Sequence, residues 1–426
     1  MQKHEYASIG ETMVETKLEN GLSIFVFPKP EFEKYYAFFA TNYGGMDTKF
    51  QVDGEWRDTP KGVAHFLEHK MFDTKDGNAL QALSAQGASP NAFTSSSITG
   101  YYFECTEGFS ENLRILLSFV SEPYFTQESV NKEQGIIGQE IRMIEDTPNW
   151  QAFTGLMAAL YENHPIRNSV AGTRESIAEI TADTLYACHE AFYNPGNMVL
   201  CVAGNVDPQE VTRIAREILP QSGKGEIPRD YGRPEEEKAF QSEKEIVMAV
   251  STPIFELGFK VPPAERGEKR LRQRLLGELA AEALMGASTP LYARLYQEGL
   301  VDHGFSYGYM DDTGCAMVLA GGESRDPDAV RAAVLEEADR LTREGLDEGL
   351  FQRLKKAAYG GWVRSLNSFE TLCVDQAQAY FAGEDVWTFP QVFETIEKSD
   401  VERTIAGWFQ AEKAALMVVR PGEGGQ

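Results

Sequence analysis

Two pieces of the chain echo each other, one at the end of each half. Glu175-Ser176-Ile177-Ala178-Glu179-Ile180-Thr181 leads through a helical stretch to the strand-like Met198-Val199-Leu200-Cys201-Val202. Glu394-Thr395-Ile396-Glu397-Lys398-Ser399-Asp400 leads the same way to Ala415-Leu416-Met417-Val418-Val419. An aromatic pair precedes each strand, Phe192-Tyr193 in one copy and Trp408-Phe409 in the other. A second echo has nearly the same offset: Phe125-Thr126-Gln127-Glu128-Ser129 is matched by Leu350-Phe351-Gln352-Arg353-Leu354. Two copies make a duplicated domain, not a solenoid, which needs three or more repeats to bury a core. The length agrees, because 426 residues exceed one typical core and suit two.

Pro220, Gly223, Gly225, Pro228, Gly232 and Pro234, followed by the charged run Glu235-Glu236-Glu237-Lys238, have linker composition. They place an N-terminal domain at 1–219, a linker at 220–245 and a homologous C-terminal domain at 246–426. Each half mixes strands with helices. Leu22 to Phe27, Tyr36 to Ala40 and Tyr101 to Cys105 alternate or run apolar as strands do. Gly62 to Phe72 reads as a helix between the breakers Pro60 and Gly77, and 111–120 and 128–145 as two more. The second half repeats the plan with helices near 267–285, 328–345 and 347–365. The expected fold class is α+β: two homologous domains, each a mixed, largely antiparallel sheet covered by helices.

A net charge of −25 argues against nucleic acid and anionic membrane as partners, since both would repel it, and neither is expected. No apolar stretch follows Lys3, and the longest apolar runs have the length of buried strands, so no secretory or membrane segment is expected. Five cysteines scattered singly predict reduced core thiols and a cytoplasmic location.

The chemistry concentrates in His65-Phe66-Leu67-Glu68-His69. On a helix, positions four apart share a face, so His65 and His69 can hold one metal, and neutral imidazole suits zinc. Glu68, three residues after His65, can reach a water activated by that metal. A third ligand is needed. Glu133 and Glu140, seven apart on the long helix, lie along one face, and either can ligate while the other holds an imidazole. The competing reading is a pair of satisfied core histidines, since Val63, Ala64, Phe66, Leu67, Met71 and Phe72 surround them. With 6 histidines in the chain, a chance H-x-x-E-H has odds of roughly one in a hundred. His164, before a proline, and His189, with no acidic partner at metal spacing, read as structural.

The order H-x-x-E-H is that of the inverzincins. Gly62 to Phe72 resembles the signature of the pitrilysin/insulinase/mitochondrial processing peptidase family, and Glu133-Gln134-Gly135-Ile136-Ile137-Gly138-Gln139-Glu140-Ile141-Arg142 resembles its second signature. The resemblance implies a zinc endopeptidase with one Zn2+ per chain, held by His65, His69 and Glu140. Glu68 is then the base and Glu133 a supporting carboxylate. Asn91-Ala92-Phe93-Thr94 resembles the segment entering the family's active-site edge strand, which implies that Asn91 and Ala92 align an extended peptide. The likeness continues through His164-Pro165, Gly172-Thr173 and Tyr193 to Asn197, dense in the first half and weak in the second.

One departure shapes the functional expectation. Active relatives carry an arginine and a tyrosine in the second domain, within a stretch like R-E-x-G-L-x-Y, which stabilise the developing oxyanion. Here Tyr296 stands for the arginine and Asp302 for the tyrosine, and no H-x-x-E-H occurs near Leu279 to Met285. The chain thus resembles the zinc-bearing subunit of bacterial two-subunit members. The expected form is a heterodimer whose homologous partner, lacking the zinc motif, supplies the arginine and tyrosine around an enclosed chamber that admits short or unfolded peptides. A homodimer using Arg294, Tyr307 or Tyr309 is the alternative assembly. A non-catalytic peptide-binding or assembly subunit is the alternative function.

Overall fold

The alternating and apolar runs of the sequence become the strands of two separate sheets. The computed structural model of the chain describes residues 1–7, 9–221, 225 and 227–422, and Gly223 of the linker lies outside them. The strands are β1 (Gln2–Tyr6), β2 (Glu11–Lys17), β3 (Ser23–Pro28), β4 (Tyr35–Thr41), β5 (Lys49–Val52), β6 (Glu55–Asp58), β7 (Asp73–Thr74), β8 (Gly77–Asn78), β9 (Ser89–Thr94), β10 (Thr99–Cys105), β11 (Met198–Gly204), β12 (Glu243–Met248), β13 (Ile254–Val261), β14 (Ser306–Asp312), β15 (Cys315–Glu323) and β16 (Ala414–Pro421). The helices are α1 (Val63–Met71), α2 (Ala79–Ala85), α3 (Phe109–Ser121), α4 (Gln127–Glu145), α5 (Pro148–Leu160), α6 (Arg174–Ala178), α7 (Ala182–Phe192), α8 (Pro208–Ile218), α9 (Glu268–Met285), α10 (Pro290–Gln297), α11 (Pro327–Glu344), α12 (Glu348–Ser365), α13 (Phe369–Ala382), α14 (Phe389–Glu394) and α15 (Lys398–Trp408).

The first sheet runs β1-β2-β3-β11-β4-β10-β9 and the second β12-β16-β13-β15-β14. In the first, β11 lies parallel to β3 and antiparallel to β4, and β10 is antiparallel to β4 and β9. In the second, β16 lies parallel to β12 and antiparallel to β13, and β15 is antiparallel to β13 and β14. So β3, β4, β9, β10 and β11 recur as β12, β13, β14, β15 and β16, with the same chain order, neighbours and directions. The fold is α+β and duplicated, and its sheets are mixed but largely antiparallel.

The chain forms two compact units. The first takes Met1–Ile141, Ser169–Asp230 and Trp362–Trp387; the second takes Arg142–Asn168, Tyr231–Gly361 and the chain from Thr388 on. Each unit therefore contains a helix drawn from the other half of the chain. In the first unit, Phe369, Leu372, Cys373 and Ala377 of α13, with Trp387, share one core with Phe25, Phe27, Tyr36 and Phe38 of the sheet. Burying each large apolar side chain of this kind is worth about 1.5–3 kcal/mol. In the second unit, α5 plays the equivalent part, with Leu156 and Leu160 filling the space above Gly258 of β13 and Met417 of β16 filling the space beside Gly155.

The start of α1 is fixed by a close backbone approach. Its N-cap, Gly62, has φ 90°, and a Cβ there would lie 2.5 Å from the Ala171 carbonyl oxygen. Only glycine adopts that conformation without strain and leaves room for the approach. From this anchor α1 packs against β9, the strand that ends the first sheet.

Candidate metal centre

Helix α1 buries Val63, Ala64, Phe66, Leu67 and Met71, which locks its rotation. His65 and His69 fall on the neighbouring face, with ring centroids 4.6 Å apart. Helix α4 is anchored by buried Val130, Ile137 and Ile141, so Glu133 and Glu140 turn toward the histidines. Glu140 Oε1 lies 3.5 Å from His65 Nε2, and Glu140 Oε2 lies 3.6 Å from His69 Nε2. One donor atom from each of these three residues lies within 4.8 Å of the others, and no other such group occurs among the described residues.

Two ligands of a tetrahedral zinc, each about 2.05 Å from the ion, stand roughly 3.3 Å apart. The separations seen are close to that value and long for direct hydrogen bonds. Imidazole and carboxylate are also donors that zinc accepts. The trio fits the ion on both counts. Nδ1 of His65 is buried with no protein hydrogen-bond partner, so Nε2 is the engaged atom of that ring.

Periodicity left Glu133 and Glu140 interchangeable, and geometry separates them. Glu133 Oε1 lies 3.1 Å from His69 Nδ1, the ring atom other than the one facing Glu140. That is how an outer carboxylate fixes a ligating imidazole. Burial pulls the His69 pKa down, but the Glu133 hydrogen bond and the charges of Glu68, Glu140 and Glu133 outweigh it and raise the value. Glu140 is held below the usual carboxylate range by the His65 imidazole that faces it at 3.5 Å, against burial, with help from the charges of both histidines.

Glu68 is buried on the same helix, and its Oε2 accepts a hydrogen bond from the Thr94 hydroxyl at 2.7 Å. Thr94 is a residue that sequence reasoning quoted without giving it a role. Nothing local to Asn91-Ala92-Phe93-Thr94 says that the end of β9 passes beside α1. Ala92 and Asn91 lie two and three strand positions further back. The Asn91 Oδ1 accepts from the Ala92 N–H at 2.9 Å, so one backbone donor of the strand is engaged by its neighbour's side chain. Lys70, directly after His69, is a second residue missed; its side chain is buried beside Glu133.

His164 and His189 are satisfied inside the fold. His164 Nδ1 accepts from the Ile166 N–H and its Nε2 meets the Thr313 carbonyl at 3.0 Å; His189 Nε2 meets the Val120 carbonyl at 3.0 Å. In the second unit the hydroxyl of Tyr296 lies 3.1 Å from His303 Nε2, and Asp302 accepts from the Gly304 N–H. Arg294 pairs with Glu336, Tyr307 donates to Glu282 Oε2 at 2.7 Å, and Tyr309 accepts from Gln273. Among the described residues no helix is long and apolar enough to cross a membrane.

A helical H-x-x-E-H pair, joined by a glutamate from a second helix, is the donor set of the metallopeptidase class with the inverted motif. Comparison with known proteins names the family within that class. Residues 54–174 match the family model described as "Insulinase (Peptidase family M16)", and residues 179–358 match "Peptidase M16 inactive domain". The chain belongs to the insulinase family of M16 peptidases. It is 38% identical to the Bacillus subtilis (strain 168) protein named "Uncharacterized zinc protease YmfH", across 98% of each chain. A crystal structure of an M16-like peptidase from Alicyclobacillus acidocaldarius superposes with a TM-score of 0.93 at 31% identity, covering 97% of this chain and 99% of that one. A protease from Helicobacter pylori shares the fold, with a TM-score of 0.80 at 18% identity over 96% of this chain and 99% of that one. Relatives named zinc proteases support a metallopeptidase function for the family fold described above.

Proposed function

We propose that this chain is the zinc-bearing subunit of an endopeptidase that hydrolyses short or unfolded peptides. The observation that carries the proposal is the convergence of His65 Nε2, His69 Nε2 and the Glu140 carboxylate beside the buried Glu68. His65, His69 and Glu140 would hold one zinc ion, and Glu133 would orient His69. Zinc, when bound, supplies Lewis acidity that polarises the scissile carbonyl and acidifies a water. Glu68 takes a proton from the attacking water and returns it to the leaving amine. Thr94 holds Oε2 of Glu68, which leaves Oε1 for that transfer. Asn91 and Ala92 lie on a strand that ends its sheet, the edge along which the extended peptide backbone would align.

A homologous partner that lacks the zinc motif supplies the substrate-binding arginine and tyrosine, and the two subunits enclose the substrate in a cytoplasmic heterodimer. This reading is favoured over a homodimer because Arg294, Tyr307 and Tyr309 are each already engaged within the second unit. The test is Glu68→Gln, assayed with and without the partner on a diverse peptide library. The variant keeps one zinc per chain and loses turnover. If the wild-type pair cleaves nothing, the peptidase reading fails and the non-catalytic subunit stands. Full activity of the wild-type chain alone refutes the partner.

A further inference from the structure

Lys70 follows His69 directly and is among the largest fully buried side chains, at 1% exposure. A buried ammonium is tolerated only where carboxylates compensate it. Lys70 has two: Asp73, three residues on, and Glu133, whose Oε2 lies 4.0 Å from its Nζ. Asp73 is 41% exposed at its side chain, while that of Glu133 is only 15% exposed. The other oxygen of Glu133 meets His69 Nδ1. One carboxylate therefore faces an imidazole with one oxygen and, in an ion pair at 4.0 Å, a buried cation with the other, while the hydrogen bond of Lys70 goes to Asp73. Three carboxylates, Glu68, Glu133 and Glu140, crowd this site. Among the described ion pairs, Lys70 is the lysine or arginine that meets one of them.

We infer that Lys70 is a positioning residue for the metal centre: through Glu133 it fixes the ring of His69 and so the direction of Nε2. The inference rests on the proposed zinc-site reading. Glu133 fixed at one point can swivel about its own side chain, and the ring it holds swivels with it. Fixed at two points, by Lys70 and His69, it sets the plane of the ring. The plainer alternative is that Lys70 only ties the end of α1 to Asp73 at the start of the β7–β8 hairpin.

A double-mutant cycle on zinc affinity separates these. Competition with a chromogenic chelator gives the zinc Kd of the full-length wild type, Lys70→Met, Glu133→Gln and the double variant. Methionine matches the unbranched shape of lysine without its charge. Each single change raises Kd by about 10–100-fold, the usual scale for losing a group that orients a ligand. The double variant stays within about threefold of Glu133→Gln alone, because Lys70 acts through Glu133. Asp73→Asn leaves Kd within about threefold of wild type. Multiplicative single effects, an unchanged Kd for Lys70→Met, or an equal loss in Asp73→Asn each overturn the inference. Thermal unfolding of the apo forms checks folding, and if Lys70→Met is unfolded the same cycle is run with Lys70→Gln under the same criteria. A wild type that binds no zinc overturns the zinc-site reading and this inference together. A wild type that binds zinc with an additive cycle overturns the inference alone.

Discussion

Glu235 belongs to the charged run that reads as linker, yet its side chain is only 12% exposed. Its Oε1 accepts from the N–H groups of Asn163 and His164, and its Oε2 from the N–H of Glu162 and from Lys260 Nζ. Burial pushes its carboxyl up, but Lys260 and the three backbone donors pull it further down, from 4.5 to about 2. Summed singly, four charge-assisted bonds would suggest roughly 6–12 kcal/mol. The lowered pKa already includes the opposing cost of burial and gives the smaller net figure. A fall from 4.5 to about 2 corresponds to about 3 kcal/mol, at about 1.4 kcal/mol per pH unit. Because the folded value is depressed, this stability is present above 4.5 and is lost as pH falls toward 2. Glu235→Gln removes the charge and leaves Lys260, which is 4% exposed, with only the Lys238 carbonyl and the Tyr161 ring as neighbours to its ammonium. The variant should lose about 3 kcal/mol at about pH 7, and the gap to wild type should narrow to about 2 kcal/mol near pH 3.5. Urea unfolding read by hydrogen exchange over residues 161–168 measures this in the unit concerned. A gap below about 1 kcal/mol at neutral pH, or one that does not narrow on acidification, refutes the reasoning.

Other outcomes follow from the site. Thr94→Val keeps zinc but frees Oε2 of Glu68, so kcat should fall about tenfold with KM little changed, the scale of one misplaced catalytic group. Glu140→Gln removes an anionic donor, and metal analysis after dialysis should find well under one zinc per chain where wild type keeps its ion. Gly62→Ala puts a Cβ 2.5 Å from the Ala171 oxygen at φ 90°, and the melting transition of the first unit should report a loss of about 2–4 kcal/mol.

Much of this was readable from the linear chain, because it rests on local periodicity. The spacing of His65 and His69, and of Glu133 and Glu140, needs only the helical repeat, and α1 and α4 are present with those residues on facing sides. The duplication was legible because it repeats composition, and the strand order repeats it in space. What stayed hidden depends on partners distant in sequence. Glu235 reads as linker because its neighbours are charged, and only the approach of Glu162, Asn163 and His164 makes it a buried acceptor. Thr94 and Glu68 are 26 residues apart, and no periodicity relates a strand end to a helix face. Lys70 sits in an apolar stretch where a lysine resembles a surface interruption, and its partner Glu133 is 63 residues further along the chain.

The exchange of α13 into the first unit has a consequence for how the protein is made. The first sheet is complete in sequence by β11, but the helix that covers Phe25, Phe27, Tyr36 and Phe38 comes much later. After Asp230 another 157 residues must be added up to and including Trp387, which a ribosome adding about 5–20 residues per second takes roughly 8–30 s to supply. For that interval an apolar sheet face waits for its cover. The nascent chain therefore passes through a stage in which α1, with His65 and His69, is already synthesised while the core beneath its sheet is still open to water and to other chains.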